Sequence, residues 1–218
     1  MQVEAAGQEN AYVDTSSYEQ LYKLYEDYFK LGIACQAMDH WNDPTAEIGN
    51  QEKEELINRM FNSMTFGNEL KPAYNFDASS ENLFKVDFAA EEMLEWAKEN
   101  NMKVRGHVLV WHSQVDPSIF AIDYQAYADG KLTKSDTAKL DEECLVDREE
   151  LLARLKRYIY GVLEYTYKNG YADVIYAWDV VNEAADENQY DGLRRSYWYQ
   201  IIGPDYLYLS LIHISEPT

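Results

Sequence analysis

Apolar and polar residues repeat along this chain in two alternating periods, and the switches between them mark out one recurring unit. From 18 to 30, Tyr18, Leu21, Leu24, Tyr25, Tyr28 and Phe29 fall at three- and four-residue steps, which predicts an amphipathic helix with Ser16 or Ser17 near its N-cap. An apolar run over 31–38 predicts a strand. The polar stretch Asp39, His40, Trp41, Asn42, Asp43 and Pro44 follows as a loop, and 52–60 reads as a helix with Leu56, Ile57 and Met60 turned inward. A second strand, 61–66, is broken by Gly67. Between 82 and 101 the set Phe84, Phe88, Ala89, Met93, Trp96 and Ala97 predicts a long helix, and 103–111 a third strand. The stretch 113–147 has no sustained period, and in a compact domain that length marks a functional or disordered insertion. Asp147 then caps a helix over 149–168 with Leu151, Leu152, Leu155, Ile159, Val162 and Leu163 as its core stripe, stopped by Asn169 and Gly170. A fourth strand covers 173–181, and a fourth helix starts near Leu193.

Strands separated by helices of this length imply right-handed crossovers and a parallel sheet, an α/β architecture. The fourth strand is apolar at nearly every position, the pattern of a strand buried on both faces. It stops abruptly at Asn182 and Glu183, and the carboxyl edge of such a sheet is where α/β folds build their sites. The other strands end similarly, in Asp39-His-Trp41, in Asn68-Glu-Leu-Lys71 and in Trp111-His-Ser-Gln114. Four polar strand ends on one rim form a candidate site. A carboxyl group held among Trp178, Asn182 and apolar neighbours is partly desolvated, which suits Glu183 to proton donation. Each of these residues has a plainer alternative. Glu183 could open a surface loop, His107 could be a satisfied core histidine, Lys71 a solvated cation, and Trp111 a cap on the core. His112 is expected on the face opposite Trp111, because strand neighbours alternate. Asp39, His40 and Trp41 have no assigned role.

Length and composition narrow the partner. The chain has 218 residues, enough for one large domain with a sizeable core. Its 19 Tyr and 5 Trp exceed what a minimal core needs and suit sugar rings, which offer C–H faces for stacking and hydroxyls for hydrogen bonds. A formal charge of −20 argues against nucleic acid and anionic membranes and fits a neutral substrate. Cys35 and Cys144 read as free thiols. No C-x-x-C or His-rich spacing suggests a metal. No apolar run is long enough for a membrane helix, and the first seven residues lack the basic and hydrophobic regions of a signal peptide.

Three segments carry a family resemblance. Phe61-Asn-Ser-Met-Thr-Phe-Gly-Asn-Glu-Leu-Lys71, Arg105-Gly-His-Val-Leu-Val-Trp-His-Ser-Gln114 and Trp178-Asp-Val-Val-Asn-Glu183 resemble, in order, signature segments of the glycoside hydrolase family 10 xylanases. Gly192-Leu-Arg-Arg-Ser-Tyr-Trp198 through Gly203-Pro-Asp-Tyr206 resembles the helix that follows. The resemblance implies the (β/α)8 TIM-barrel class, with about the first four βα units present, and retaining cleavage of internal β-1,4 bonds of xylan without metal or cofactor. It implies that Glu183 is the acid/base and that Asn182 meets the 2-hydroxyl of the sugar under attack. His107 and Lys71 would contact that sugar and its neighbour, while Asn68, Trp111 and Gln114 would wall the next subsites.

The resemblance spans 18–209, leaving 1–17 as an extension and 210–218 as a tail expected to be non-native and poorly packed. It also implies a secreted parent. Gly67 stands where the family often has Glu, so one acceptor for a distal sugar is expected to be missing. The family's nucleophile, a Glu on the seventh strand, is expected outside this chain, with Glu69 or Asp39 the only other strand-end carboxylates for a second catalytic role. A related hydrolase of β-1,4-glucan, or a non-catalytic xylan-binding half-barrel, fits many of the same residues.

Overall fold

The computed structural model describes residues 17–37, 43–123 and 144–215, with side chains up to Leu211. Four strands, β1 (Gly32–Cys35), β2 (Ser63–Phe66), β3 (Lys103–Val110) and β4 (Ile175–Val181), form one sheet in sequence order. All three pairings are parallel, as expected from the helical spacers. The sheet starts in register Gly32↔Ser63 and Ser63↔Lys103, then shifts between β3 and β4 on either side of the pairs Arg105↔Ala177 and His107↔Asp179. The expected strands 31–38, 61–66, 103–111 and 173–181 are therefore present, each shorter at one or both ends.

Among the described residues six helices connect or follow the strands: α1 (Gln51–Met60), α2 (Pro72–Asn75), α3 (Phe88–Glu99), α4 (Arg148–Lys168), α5 (Tyr197–Ile202) and α6 (Tyr206–Ser215). Their N-termini begin where a side chain can accept from an exposed backbone N–H: Asn50 from Lys53, Asp87 from Ala89, Asp147 from Glu150 and Ser196 from Tyr199. Alternation along the strands sends Met64, Phe66 and Val104 into a core with α3, built on Ala89, Met93 and Ala97. A second core joins Leu109 and Val110 to α4, α5 and α6 through Leu155, Ile159, Trp198 and Tyr206. On the other face, Ala34, Arg105 and Ala177 are exposed. The sheet is thus covered on one side only among the described residues, as four of the eight units of a barrel would be.

Several expectations fail for tertiary reasons. The helix over 18–30 is a single 3-10 turn, Leu21–Leu24, whose N-cap Gln20 makes no capping bond. None of the four residues of the turn is buried, and Tyr18, Leu24, Tyr28 and Phe29 stay exposed. Leu56 and Phe88, expected inward, are 56% and 60% exposed. The long helix over 82–101 starts only at Phe88, because Phe84 pairs antiparallel with Phe76 and enters the core from a loop. The helix expected from Leu193 starts at Tyr197, since Leu193 bridges back to Ala185. Helix α6 crosses the expected boundary after Leu209, and Ser210 is buried, its hydroxyl donating to the Tyr206 carbonyl at 2.7 Å. In the 113–147 connection, a 3-10 turn (Pro117–Phe120) is fixed by buried Arg154 of α4, whose Nη1 donates to the carbonyls of Ser118, Ile119 and Ala121. Among the described residues no helix is long and apolar enough to cross a membrane.

Candidate active site

The carboxyl ends of β2, β3 and β4 converge on Trp111. Just past β4, Glu183 has φ 49°, in the left-handed region that a non-glycine residue occupies at a cost of about 1–3 kcal/mol. Arg194 sustains the turn: its Nε donates to the Glu183 carbonyl at 3.0 Å and its backbone N–H to the Ala184 carbonyl at 2.8 Å. The carboxylate is thereby presented to Trp111, whose Nε1 donates to Oε2 at 3.2 Å. Trp111 is fixed in turn, because the indole N–H of Trp198 donates to its carbonyl at 3.0 Å.

On one side of Trp111 stands a cluster of three residues predicted from the sequence. The Lys71 ammonium donates to Asn68 Oδ1 at 2.9 Å and to Gln114 Oε1 at 2.6 Å, and Gln114 Nε2 donates to Asn68 Oδ1 at 2.9 Å. The ammonium lies 4.9 Å from the centroid of the Trp111 ring, within cation–π range. Lys71 is 7% exposed, not a solvated loop cation. Burial lowers its pKa below the ordinary lysine value, although Glu69 and Glu183 pull the other way. Gln114, at φ 44°, is the second strained residue of the rim.

On the other side, His107 and Trp111 have ring centroids 6.1 Å apart. His107 Nδ1 is 2.9 Å from Asp179 Oδ2, while Arg105 Nε donates to Asp179 Oδ1 at 2.8 Å. Burial pushes the Asp179 carboxyl up, but its bonds to Arg105 and His107 outweigh that and hold it below its ordinary range. His107 is therefore no core histidine; it faces the open side of the sheet with an ionised partner. Asn182 is half-buried beside Glu183, its backbone N–H donating to the Val110 carbonyl at 2.9 Å, and it lines one small pocket with Trp111, His112 and Glu183.

Three local expectations need correction. His112 does not point away: its Nε2 lies 3.7 Å from Glu183 Oε2, the oxygen that Trp111 also approaches. Strand alternation does not reach it, because β3 ends at Val110. Trp178 does not shelter Glu183. It lies against Gly106, on the helix-covered side, and 53% of the Glu183 side chain is exposed. Glu69 is buried, with Oε1 accepting from the Ala37 N–H at 3.0 Å and Oε2 from the Asn68 N–H at 2.9 Å, so it braces the rim rather than facing it. The space beside Gly67 is taken by the Gln36 side chain, 2.7 Å from where a Cβ would stand. Asp39, His40 and Trp41 lie outside the described residues. Asp179 and His112 were missed as site residues; the first was legible two residues beyond Ala177 on the face that Arg105 and His107 share.

Comparison with known proteins follows the same lines. Residues 20–213 match glycosyl hydrolase family 10. The chain is 39% identical over 199 residues to endo-1,4-beta-xylanase A of Caldicellulosiruptor sp. and 37% identical over 191 residues to endo-1,4-beta-xylanase A of Thermotoga maritima. These matches cover 90% and 87% of this chain but 25% and 15% of the relatives. An intracellular xylanase of Thermoanaerobacterium saccharolyticum, solved in complex with xylotetraose, superposes with a TM-score of 0.68 at 30% identity, over 90% of this chain and 52% of that one. The chain thus spans about half the length of the solved structure and a quarter or less of the two curated relatives. With its parallel βα units, its rim of signature residues and a match over nearly its whole length, the chain belongs to glycosyl hydrolase family 10.

Proposed function

We propose that the protein containing this chain is a retaining endo-1,4-β-xylanase in which Glu183 is the acid/base. The observation that carries the reading is the placement of the Glu183 carboxylate: at the carboxyl rim of a parallel sheet, bonded to Trp111, between the Asn68–Lys71–Gln114 cluster and the His107–Asp179 pair. A half-exposed carboxyl there can reach a glycosidic oxygen, donate a proton to it as the bond breaks, and later take one from water. Asn182, next in the chain, meets the 2-hydroxyl of the sugar under attack. Lys71 and His107 hydrogen-bond that ring and its neighbour, and Asn68, Trp111 and Gln114 hold the next sugars. The substrate is neutral xylan or xylo-oligosaccharide, in keeping with the net charge of −20.

Retention requires a second carboxylate about 5 Å from the first, on the opposite side of the anomeric carbon. Asp179 is committed to Arg105 and His107, and Glu69 to two backbone N–H groups, so neither is available as the nucleophile. Asp39 lies outside the described residues, and the nucleophile is then, as the family resemblance implies, a Glu on the seventh strand of the whole barrel. In the whole protein, Glu183→Gln should lower reducing-sugar release from soluble xylan by roughly a hundredfold or more, the usual weight of a positioned general acid. The chain alone should release no more than its own Glu183→Gln variant. Equal turnover of carboxymethyl-cellulose, or activity untouched by Glu183→Gln, would reject the reading.

A further inference from the structure

Behind the Lys71–Gln114 wall lies a second concavity that the chemistry above does not use. It runs between the end of α2 and the start of α3 and has a volume of about 590 Å³, lined by Tyr74, Phe76, Asp77, Lys85, Asp87 and Phe88, with Glu91 at its end. Small-molecule sites commonly span roughly 300–1,000 Å³. We propose that this groove binds a second stretch of neutral β-1,4-linked polysaccharide, resting on the xylanase reading for the identity of the sugar.

The aromatic surface is the first argument. Phe88 opens α3, where the helix would bury it if it followed the apolar stripe, yet 60% of it is exposed at the groove. Half-buried Tyr74 and buried Phe76 supply further ring surface in the wall. The polar rim is the second. Asp87 commits Oδ1 to the Ala89 N–H at 3.0 Å, and Glu91 commits Oε1 to the Tyr165 hydroxyl at 2.7 Å. The second oxygen of each remains to accept from a hydroxyl. Three carboxylates against the single cation Lys85 repel an anionic ligand and favour one that donates hydroxyl hydrogens. No set of three His, Cys, Asp or Glu side chains converges tightly enough to hold a metal among the described residues.

The third argument is continuity with the rim. The Tyr74 hydroxyl accepts from Gln114 Nε2 at 3.3 Å. Buried Asn75 accepts from the Asp87 N–H through Oδ1 at 2.9 Å, while its Nδ2 donates to the carbonyls of Glu69 at 2.6 Å and Lys71 at 3.1 Å. The groove wall and the substrate wall are therefore two sides of one hydrogen-bonded layer. That layer belongs to the crossover between β2 and β3, the two interior strands of the sheet, so the groove is not built on either free edge, β1 or β4.

The test is affinity electrophoresis of the chain through gels containing soluble xylan, with dextran gels as control. His107→Ala with Asn182→Ala disables the rim, and Phe88→Ala removes the exposed ring without touching either core. The rim variant should still be retarded by xylan. Adding Phe88→Ala should weaken that residual retardation by about tenfold, the order expected for one aromatic contact face, and Phe88→Trp should restore or exceed it. If the rim variant loses all retardation, or if Phe88→Ala leaves the residual retardation unchanged, the groove proposal is wrong and the xylanase reading stands. If Phe88→Ala alone abolishes retardation and the rim variant does not reduce it, the groove is upheld and the rim assignment fails instead.

Discussion

Gly106 is the position at which one added methyl group should do the most damage to the rim. A Cβ there would stand 2.3 Å from Trp178 Cε3 and 2.5 Å from both Cδ2 and Cζ3. Carbon atoms in contact settle at roughly 3.5–4.0 Å, so the indole would have to retreat by more than 1 Å. It has little room to do so, because it packs against both hydrophobic cores. Overpacking of this kind costs about 1–3 kcal/mol, and three ring atoms struck at once point to about 3 kcal/mol. For a chain of this size that is a fall in midpoint of roughly 6–12 °C. The pairs on either side, Arg105↔Ala177 and His107↔Asp179, carry the open-face side chains, so the strain should also loosen the 2.9 Å His107–Asp179 contact. Urea unfolding of the chain and its Gly106→Ala variant measures the cost. Adding Trp178→Leu, itself destabilising, should make the two changes less than additive, with a coupling of about 1 kcal/mol or more. A variant within about 0.5 kcal/mol of the parent, or strict additivity in the double variant, would refute the argument.

Further outcomes follow from other contacts. Because Asp179 titrates below its ordinary value in the folded state, its ionised form contributes stability that is complete above the unfolded value near 3.8 and lost as pH falls through the folded one. The stability gap between the chain and Asp179→Asn should therefore shrink from pH 7 to pH 3; a constant gap would show that the Arg105 and His107 bonds are not what holds the carboxylate. Burial, with Glu47 and Glu69 adding, pushes the Cys35 thiol up to about 12. Iodoacetamide at pH 8 should modify the half-buried Cys144 first and Cys35 only on unfolding, as read by peptide mass spectrometry, and early labelling of Cys35 would contradict its burial. Arg154→Met removes the donor to the Ile119 and Ala121 carbonyls and leaves the Ser118 carbonyl only the Ala121 N–H, and should cost about 2–4 kcal/mol in urea unfolding, with a loss under about 0.5 kcal/mol counting against the brace.

Much of this protein follows from its sequence alone. The four parallel strands were legible because apolar runs separated by helix-length spacers have few other ways to satisfy their backbone groups; that β4 would be buried on both faces was not borne out, since only Ile175 of it is buried and the other face of the sheet is open. Amphipathic α4 was legible because a stripe of that length, with Asp147 before it and Gly170 after it, has one conformation that suits all its parts. The rim residues were legible as polar groups that end such strands, and their motifs named the family. Tertiary structure decided what depends on partners distant in the chain. The apolar period of 18–30 predicts a helix only if a surface waits to receive it, and Leu56 and Phe88 carry the same lesson at single positions. His112 reaches Glu183 because β3 ends at Val110, and alternation, a property of extended backbone, stops there too. Trp178 lies away from Glu183, its ring filling the space that the absent side chain of Gly106, 72 residues earlier and paired with it across β3 and β4, leaves open. Local periodicity encodes which face a residue prefers, whereas its neighbour on that face is set by register and by the volumes that other segments leave unfilled.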